Sequence, residues 1–377
     1  MMRFNYIIVL YLFILPFAVQ AQTNPRNIEV DWKTDLSQYT VSPDEFTALM
    51  PPDRIPPIDS PVFWDKKQAG ENYFDHEPVV AVEIDGKAKA YPLTVLTFHE
   101  VVNDSIGNVY YTVTYCPLCN SSPVYNRKLA HKEEKYLLDF GVSGMLRNSN
   151  LVLYDRQTQS WWQQLTGRAE VGKLTGAELD IIPSYIISAA EFFESFPEGK
   201  MLSTETGVER EYGSNPYENY DSKEIPPERF FPHEVDKRLP AMERIINIQV
   251  NGKHKIYPQS IIEEKMVIND SFQNQAIAIF HTSKTVSILD KKNIKESKTV
   301  GSSTVLNPVL SGQTYTFEYK NGEFVDKQTG SRWDITGKCI GGKLKGEKLR
   351  VIPYGVHFAF AWLAFYPETE IYETNKH

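Results

Sequence analysis

Short runs of β-branched and aromatic residues, bounded by turn residues, dominate the hydrophobic pattern of this chain. One such run extends from Val109 to Val113, and the pairs Asp85-Gly86 and Asn251-Gly252 lie where type I′ hairpin turns are expected between two strands. Helical stretches are predicted at four places: 93–102, 188–195, 259–268 and 357–365. The pattern therefore predicts an α+β fold in which strands dominate.

The second half of the sequence repeats landmarks of the first half in the same order. Tyr91-Pro92 returns as Tyr257-Pro258, and Asn103-Asp104-Ser105 returns as Asn269-Asp270-Ser271 at the same offset. A Trp, a Thr-Gly pair and an Ile-Pro pair follow in the same order in both halves. We therefore predict two pseudo-repeats of one α+β unit, residues 76–205 and 244–377, joined by a polar linker at 206–243.

The N-terminus has the pattern of an export signal. Arg3 precedes an apolar stretch from Tyr6 to Phe17, and Val19-Gln20-Ala21 fits the small-x-small pattern of a cleavage site. We predict a signal peptide at residues 1–21 and an extended lead-in at 22–75. No later run is long and apolar enough to span a bilayer, so we expect a periplasmic or secreted protein without a transmembrane anchor.

Composition narrows the class of protein. Hydrophobic residues make up 41% of the 377 residues and aromatic residues 12%, as in a globular chain with a core. The formal net charge is −8, with acidic and basic residues interspersed. This balance argues against a nucleic-acid partner. The expected partner is a small molecule or a redox protein, neither of which the sequence identifies.

Two of the three cysteines lie directly after a predicted strand. Cys116 and Cys119 enclose a Pro-Leu turn, whereas Cys339 is distant in sequence. As thiolates, the pair would suit copper or zinc if further ligands joined them. As a redox pair, one cysteine would react as a thiolate with a disulfide. As a structural disulfide in a binding module, the pair would only make the turn rigid. We predict a metal site first, and whether the chain is an enzyme stays open.

Residues close to the cysteines in sequence complete the predicted metal site. His99 precedes the cysteines and is the expected third ligand beside Cys116 and Cys119. On a helix continuing through residue 104, Glu100 and Asp104 would share a face, and either carboxylate would orient the histidine ring.

The second pseudo-repeat lacks this set of residues. The positions that correspond to the two cysteines are Thr282 and Thr285, and Lys265 corresponds to the histidine. His357, at the start of the last predicted helix, has no counterpart in the first pseudo-repeat and is the candidate for a fourth ligand. We therefore expect one site, which lies in the first pseudo-repeat and is bounded on one side by the second pseudo-repeat near His357.

Several of these motifs resemble a known family. In order, the chain resembles the domain of unknown function 3179 family of bacteria and archaea through His-Glu-Val-Val-Asn-Asp (99–104), Thr-Tyr-Cys-Pro-Leu-Cys (114–119), Phe-Gly-Val-Ser-Gly (140–144) and Tyr-Asp-Arg-Gln-Thr-Gln-Ser-Trp-Trp (154–162). The resemblance covers roughly residues 75 to 370. It implies that His99, Glu100, Cys116 and Cys119 belong to the family pattern, and it implies no activity. Asn120 departs from the pattern, since a small residue such as Gly is expected there.

Overall fold

The computed structural model describes residue 28 and residues 30–373. The predicted signal peptide at residues 1–21 lies outside the described residues. None of the helices in this part of the chain is both long enough and apolar enough to cross a membrane.

Five short α-helices occur among the described residues: α1 (Lys66–Asn72), α2 (Leu93–His99), α3 (Ala189–Ser195), α4 (Gln259–Lys265) and α5 (Ala359–Phe365). Local capping explains where two of them begin. Asp65 and Gln68 form a capping box at the start of α1, and Ser188 and Glu191 form one at the start of α3. Helix α2 ends at His99 because Glu100 adopts a left-handed conformation.

Strands make up most of the regular structure. In the first half they are β1 (Thr47–Ala48), β2 (Phe63–Trp64), β3 (Pro78–Ile84), β4 (Lys87–Pro92), β5 (Val101–Ile106), β6 (Val109–Thr114), β7 (Val124–Asn126), β8 (Lys128–His131), β9 (Glu134–Leu137), β10 (Phe140–Arg147), β11 (Asn150–Asp155), β12 (Trp161–Gln163), β13 (Arg168–Val171), β14 (Ser184–Ser188) and β15 (Lys200–Leu202).

In the second half they are β16 (Arg244–Val250), β17 (Lys253–Pro258), β18 (Val267–Phe272), β19 (Gln275–Thr282), β20 (Ser302–Asn307), β21 (Val309–Leu310), β22 (Gln313–Thr314), β23 (Phe317–Lys320), β24 (Glu323–Asp326), β25 (Arg332–Trp333), β26 (Cys339–Gly341), β27 (Arg350–Val351), β28 (Tyr354–Phe358) and β29 (Glu370–Ile371). The fold is α+β and rich in strands, as predicted.

Two similar hairpins lie within a nine-stranded sheet and a four-stranded sheet. Asp85 and Gly86, both with positive φ, join β3 to β4, and Asn251 and Gly252 join β16 to β17 in the same way. In the first sheet, β14 lies antiparallel to β3 and β15 lies parallel to β4. In the second, β28 lies antiparallel to β16 and β29 lies parallel to β17. Strands β18 to β20 extend the first sheet through a contact between β14 and β20.

Two further sheets surround the cysteines. Strands β5, β6 and β7 form an antiparallel sheet, and β6 leads directly into the cysteine turn. Strands β10 to β13 form an antiparallel sheet with β1 at its edge. The turn between β10 and β11 points at the cysteines, as described below. Strand β28, helix α5 and strand β16 of the second half contribute Phe358, Phe360 and Ile245, respectively, to the same hydrophobic core as Cys116 and Cys119.

The region between residues 99 and 104 differs from the sequence prediction. The helix was expected to continue to residue 102, but β5 begins at Val101 and pairs along its length with β6. The prediction that Glu100 and Asp104 share a helix face is therefore wrong. The left-handed cap at Glu100 has a parallel at Met266, which follows α4 with nearly the same φ and ψ. This shared conformation indicates that the cap serves the turn from helix to strand.

The lead-in before residue 76 packs on the first half of the chain. It includes α1 and the short strands β1 and β2. Between them, Ile58 runs beside β5, with its N–H donating to Val101 O at 2.9 Å and its carbonyl accepting from Asn103 N at 2.9 Å. This contact brings the neighbouring Pro56 carbonyl to the end of helix α2.

Candidate functional site

A tight turn presents the two cysteines at the end of β6. Pro117–Cys119 forms one 3₁₀ turn, and Cys116 and Ser121 bridge across it with N···O distances of 2.8 and 3.2 Å. Proline suits the first position of the turn because its φ is already fixed. Asn120 ends the turn in the left-handed region, at φ 49°, which asparagine tolerates better than most residues. Asn120 thus meets the need for which glycine was expected.

The two sulfurs lie together in the protein interior as free thiols. Cys116 is 2% exposed and Cys119 is 0% exposed. Both face Ser149, whose carbonyl oxygen lies 3.4 Å from Cys119 Sγ and 3.8 Å from Cys116 Sγ. The N–H of Leu151 donates to Cys116 Sγ at 3.4 Å. The turn between β10 and β11 makes this possible, because Asn148 and Ser149 both have positive φ.

The surroundings of the two sulfurs shift their pKa values in opposite directions. Burial opposes ionisation of Cys116, but hydrogen bonds from the Cys119 thiol and from backbone N–H groups, including that of Leu151, outweigh it and lower the pKa of Cys116. Burial and the neighbouring Cys116 raise the pKa of Cys119 well above the ordinary thiol value. These surroundings therefore favour ionisation of Cys116 over ionisation of Cys119.

A buried carboxyl completes this part of the site. Glu100 is 7% exposed, and its carbonyl accepts the N–H of Tyr115 at 2.8 Å, directly before the cysteine turn. Burial first, and then the charge on Cys116, raise the pKa of Glu100 well above its ordinary value. Among the described residues, no hydrogen bond is made to its side chain. Burial and the nearby Cys116 thus both favour the protonated form of this carboxyl.

His99, the predicted third ligand, has other partners. Its Nδ1 lies 2.7 Å from Pro56 O and its Nε2 lies 2.6 Å from the hydroxyl of Tyr212. Burial lowers the pKa of His99, which favours the neutral ring. Both ring nitrogens are thus occupied in this structure.

Asp104, predicted to orient the histidine ring, and His357, the predicted fourth ligand, also have other partners. Asp104 accepts hydrogen bonds from Lys89 at 2.8 Å and Tyr91 at 2.6 Å. His357 Nε2 lies 2.8 Å from Asn247 Oδ1, its ring stacks on Trp362, and burial lowers its pKa to about 3. The structure therefore places only Glu100 of the predicted supporting residues beside the cysteines.

The described residues contain no group of three or more His, Cys, Asp or Glu side chains that could hold a metal ion. Cys116 and Cys119 meet, whereas His99 and His357 bind elsewhere. Copper or zinc binding was the first sequence prediction, and it stays a prediction.

A segment of the predicted linker covers the cysteines, which the sequence interpretation missed. We call residues 206–222 the tyrosine segment, since it carries Tyr212, Tyr217 and Tyr220. Tyr212 contacts His99, and the hydroxyl of Tyr220 donates to Leu118 O, within the cysteine turn, at 3.0 Å. After burial, the charges of Glu100 and Cys116 are the causes that raise the pKa of Tyr217. Three tyrosines within the polar linker were the available signal.

An ion pair fixes the end of the tyrosine segment on the second half. Asp221 pairs with Arg244 at 3.0 Å and accepts a hydrogen bond from Ser287 at 2.6 Å. Its side chain is 1% exposed, so the pair is largely shielded from solvent. The segment therefore connects the cysteine turn to strand β16 and closes the site from solvent.

Comparison with known proteins identifies the family. No curated protein and no solved structure matches the chain. One family model matches residues 52–369, which is most of the sequence. The chain therefore belongs to the family described as protein of unknown function (DUF3179).

Proposed function

We propose that this protein is a thiol-disulfide oxidoreductase that uses Cys116 and Cys119. One observation carries the proposal: Cys116 Sγ accepts the N–H of Leu151 at 3.4 Å beside the Cys119 thiol, an arrangement that stabilises a thiolate. A purely structural pair would not need two sulfurs of different acidity. The substrate is a disulfide, either of a small molecule or of a partner protein.

The chemistry follows the usual two steps of disulfide exchange. The Cys116 thiolate attacks one sulfur of the substrate disulfide, which breaks the substrate S–S bond and forms a mixed disulfide. Cys119 then loses its proton and attacks Cys116 Sγ, which releases the second substrate sulfur as a thiolate. The substrate disulfide gains two electrons, and the cysteine pair loses two as it becomes a disulfide. The same steps in reverse would oxidise a dithiol substrate.

Glu100 accounts for the protons in this scheme. While Cys116 is a thiolate, its charge helps to keep the Glu100 carboxyl protonated. The carboxyl gives its proton to the first thiolate that leaves. The resulting carboxylate takes the proton of Cys119 and passes it to the second leaving thiolate. Two substrate thiols and one Glu100 carboxylate result, so protons and charge balance.

A second candidate function is the binding of monovalent copper by the two sulfurs. The convergence of two soft ligands, without a third among the described residues, favours Cu(I) over zinc, which needs four ligands in a structural site. Copper bound in this way would occupy the same thiolates that the redox function uses. The experiments below therefore separate the two candidates.

We also propose that the chain consists of two pseudo-repeats and that it is exported. The repeat is supported by the matching strand orders, β14-β3-β4-β15 and β28-β16-β17-β29, each with one parallel pair at the same place. Export to the periplasm or outside the cell rests on the N-terminal pattern of residues 1–21. A disulfide-exchange site suits such an oxidising compartment.

Thiol chemistry tests the proposal on the full chain, exported with its own leader and purified without a histidine tag. Alkylation of Cys116 with iodoacetamide, followed by peptide mass spectrometry against pH, should show a pKa below the free-thiol value of about 8.5. Cys119→Ala should raise that pKa, because the thiol that donates to Cys116 is gone. A Cys339→Ser background removes the third thiol without touching the site.

Redox titration and metal analysis decide between the candidates. In glutathione buffers the pair should interconvert between about −120 and −270 mV, the range of thiol-disulfide oxidoreductases. A bond that resists reduction below about −300 mV would instead mark a structural disulfide. Stoichiometric copper in the purified protein, lost in Cys116→Ser with the fold intact, would refute the redox function and establish the second candidate.

A further inference from the structure

A separate cavity of about 670 Å³ lies between the two halves of the chain. Its lining includes five lysines, three from the first half and two from the second: Lys87, Lys89, Lys200, Lys338 and Lys348. Its acidic lining residues are Glu83 and Glu198. The cavity thus has an excess of positive charge in a protein whose formal net charge is −8. We call it the lysine cavity.

The backbone places like charges side by side in this cavity. Lys87 and Lys89 are two residues apart on β4, so both point to the same face of the sheet. Lys200 of β15 is the direct parallel neighbour of Lys89. From the second half, Lys338 and Lys348 lie opposite each other across an antiparallel bridge. Like charges directly opposite each other destabilise a strand pair.

Only part of this charge is neutralised by the protein. Lys89 pairs with Asp104 at 2.8 Å, and Lys348 pairs with Glu83. Lys87, Lys200 and Lys338 make no ion pair within the described residues, and all three are exposed at the cavity. Three ammonium groups are therefore free to bind an anion.

A cavity at the corresponding place in the second half lacks this excess of positive charge. It has a volume of about 600 Å³ and follows the hairpin turn at Gly252, as the lysine cavity follows the turn at Gly86. Its charged lining consists of Arg168 and Lys253 against Glu368 and Glu370. The two positive and two negative groups balance, so similar architecture does not by itself produce a basic cavity.

We propose that the lysine cavity binds a small polyanion that carries phosphate or several carboxylate groups. Lysine ammonium groups act as point charges for such oxygens, and the unpaired ones converge from both halves of the chain. The volume lies within the range of small-molecule sites. The site is independent of the cysteines and needs no redox step.

Binding of inorganic pyrophosphate and of citrate to the full chain tests this proposal. Isothermal titration calorimetry in a low-salt buffer free of phosphate should show one site, weakened by added sodium chloride because the attraction is electrostatic. The Lys87→Gln, Lys338→Gln double variant should bind at least about tenfold more weakly, since two of three unpaired charges are removed. Preference for one probe identifies the anionic group.

Matched variants in the balanced cavity provide the control. The Arg168→Gln, Lys253→Gln double variant should bind the probes as the unaltered protein does, and so should Cys116→Ser. The proposal is overturned if neither probe binds at millimolar concentration in low salt. It is equally overturned if the control variant loses binding as much as the lysine-cavity variant, because the attraction would then reflect general surface charge.

Discussion

Replacing Tyr220 with Phe should open the tyrosine segment and expose the cysteines. The aromatic ring and its packing on Phe358 are kept, and only the hydroxyl that donates to Leu118 O at 3.0 Å is lost. That carbonyl then lies in the core without this donor. Leaving a buried carbonyl unsatisfied costs about 1–2 kcal/mol, which corresponds to an increase of about 5- to 30-fold in the open population.

Alkylation of the buried thiols measures this opening. When the segment closes faster than iodoacetamide reacts, the labelling rate follows the open population, so Cys116 and Cys119 should react about 5- to 30-fold faster in Tyr220→Phe. Peptide mass spectrometry at one pH reports each cysteine separately. Cys339, buried in the second half, serves as an internal reference for global unfolding.

A matched tyrosine controls for the loss of a hydroxyl. Tyr354 donates to Ser303 O at 2.8 Å and also accepts from Ile186 N at 3.3 Å, so Tyr354→Phe removes the same kind of donor away from the segment. That variant should leave labelling of the cysteine turn near its original rate. Equal acceleration in the two variants, or acceleration of Cys339 together with Cys116, would refute the idea that the tyrosine segment controls access to the site.

Two further predictions concern stability. Burial raises the pKa of Glu77 to about 8, so between about pH 4.5 and 8 the folded protein retains a proton that the unfolded chain releases. The free energy of unfolding should therefore fall as pH rises through this window, by at most about 1.4 kcal/mol per pH unit for this group. Glu77→Gln should make the fall shallower in urea denaturation between pH 5 and pH 8, while Glu100, whose pKa is also raised, still contributes; an unchanged slope would contradict the assignment. Asp155 accepts hydrogen bonds from Thr158 N at 2.6 Å and from Trp162 Nε1 at 2.9 Å, and Asp326 does the same for Thr329 and Trp333. Asp155→Ala and Asp326→Ala should each lower the free energy of unfolding by about 1–3 kcal/mol, and no loss in either variant would show that the turn is not supported by its aspartate.

The sequence predicted several local features of the structure. The Asp85-Gly86 and Asn251-Gly252 pairs form the predicted hairpins because both of their residues tolerate positive φ. The helices near residues 189 and 259 begin close to their predicted positions, since capping and proline signals act over a few residues. The ends of the helices were predicted less well. Helix α2 stops at His99 because the residues from Val101 onward form strand β5 and pair with β6.

The sequence also predicted where the candidate site lies, but it predicted only some of the residues in it. Cys116, Cys119 and Glu100 are neighbours in space because β5 and β6 are adjacent strands, which short sequence separation favours. The prediction that His99 joins them rested on its closeness to the cysteines in sequence. With the chain turning at Glu100, the His99 ring meets Pro56 and Tyr212 instead.

Spacing along the chain thus determines the strands, their turns and the paired sulfurs, because these depend on residues within a few positions of one another. The acidity of Cys116 depends on burial and on hydrogen bonds that include the Leu151 N–H, and the cover over both sulfurs comes from the tyrosine segment, which lies about 100 residues further on. Burial and hydrogen bonding act over a few ångströms in space. The groups that surround the two sulfurs are therefore set by packing between separate elements, which no local sequence pattern encodes.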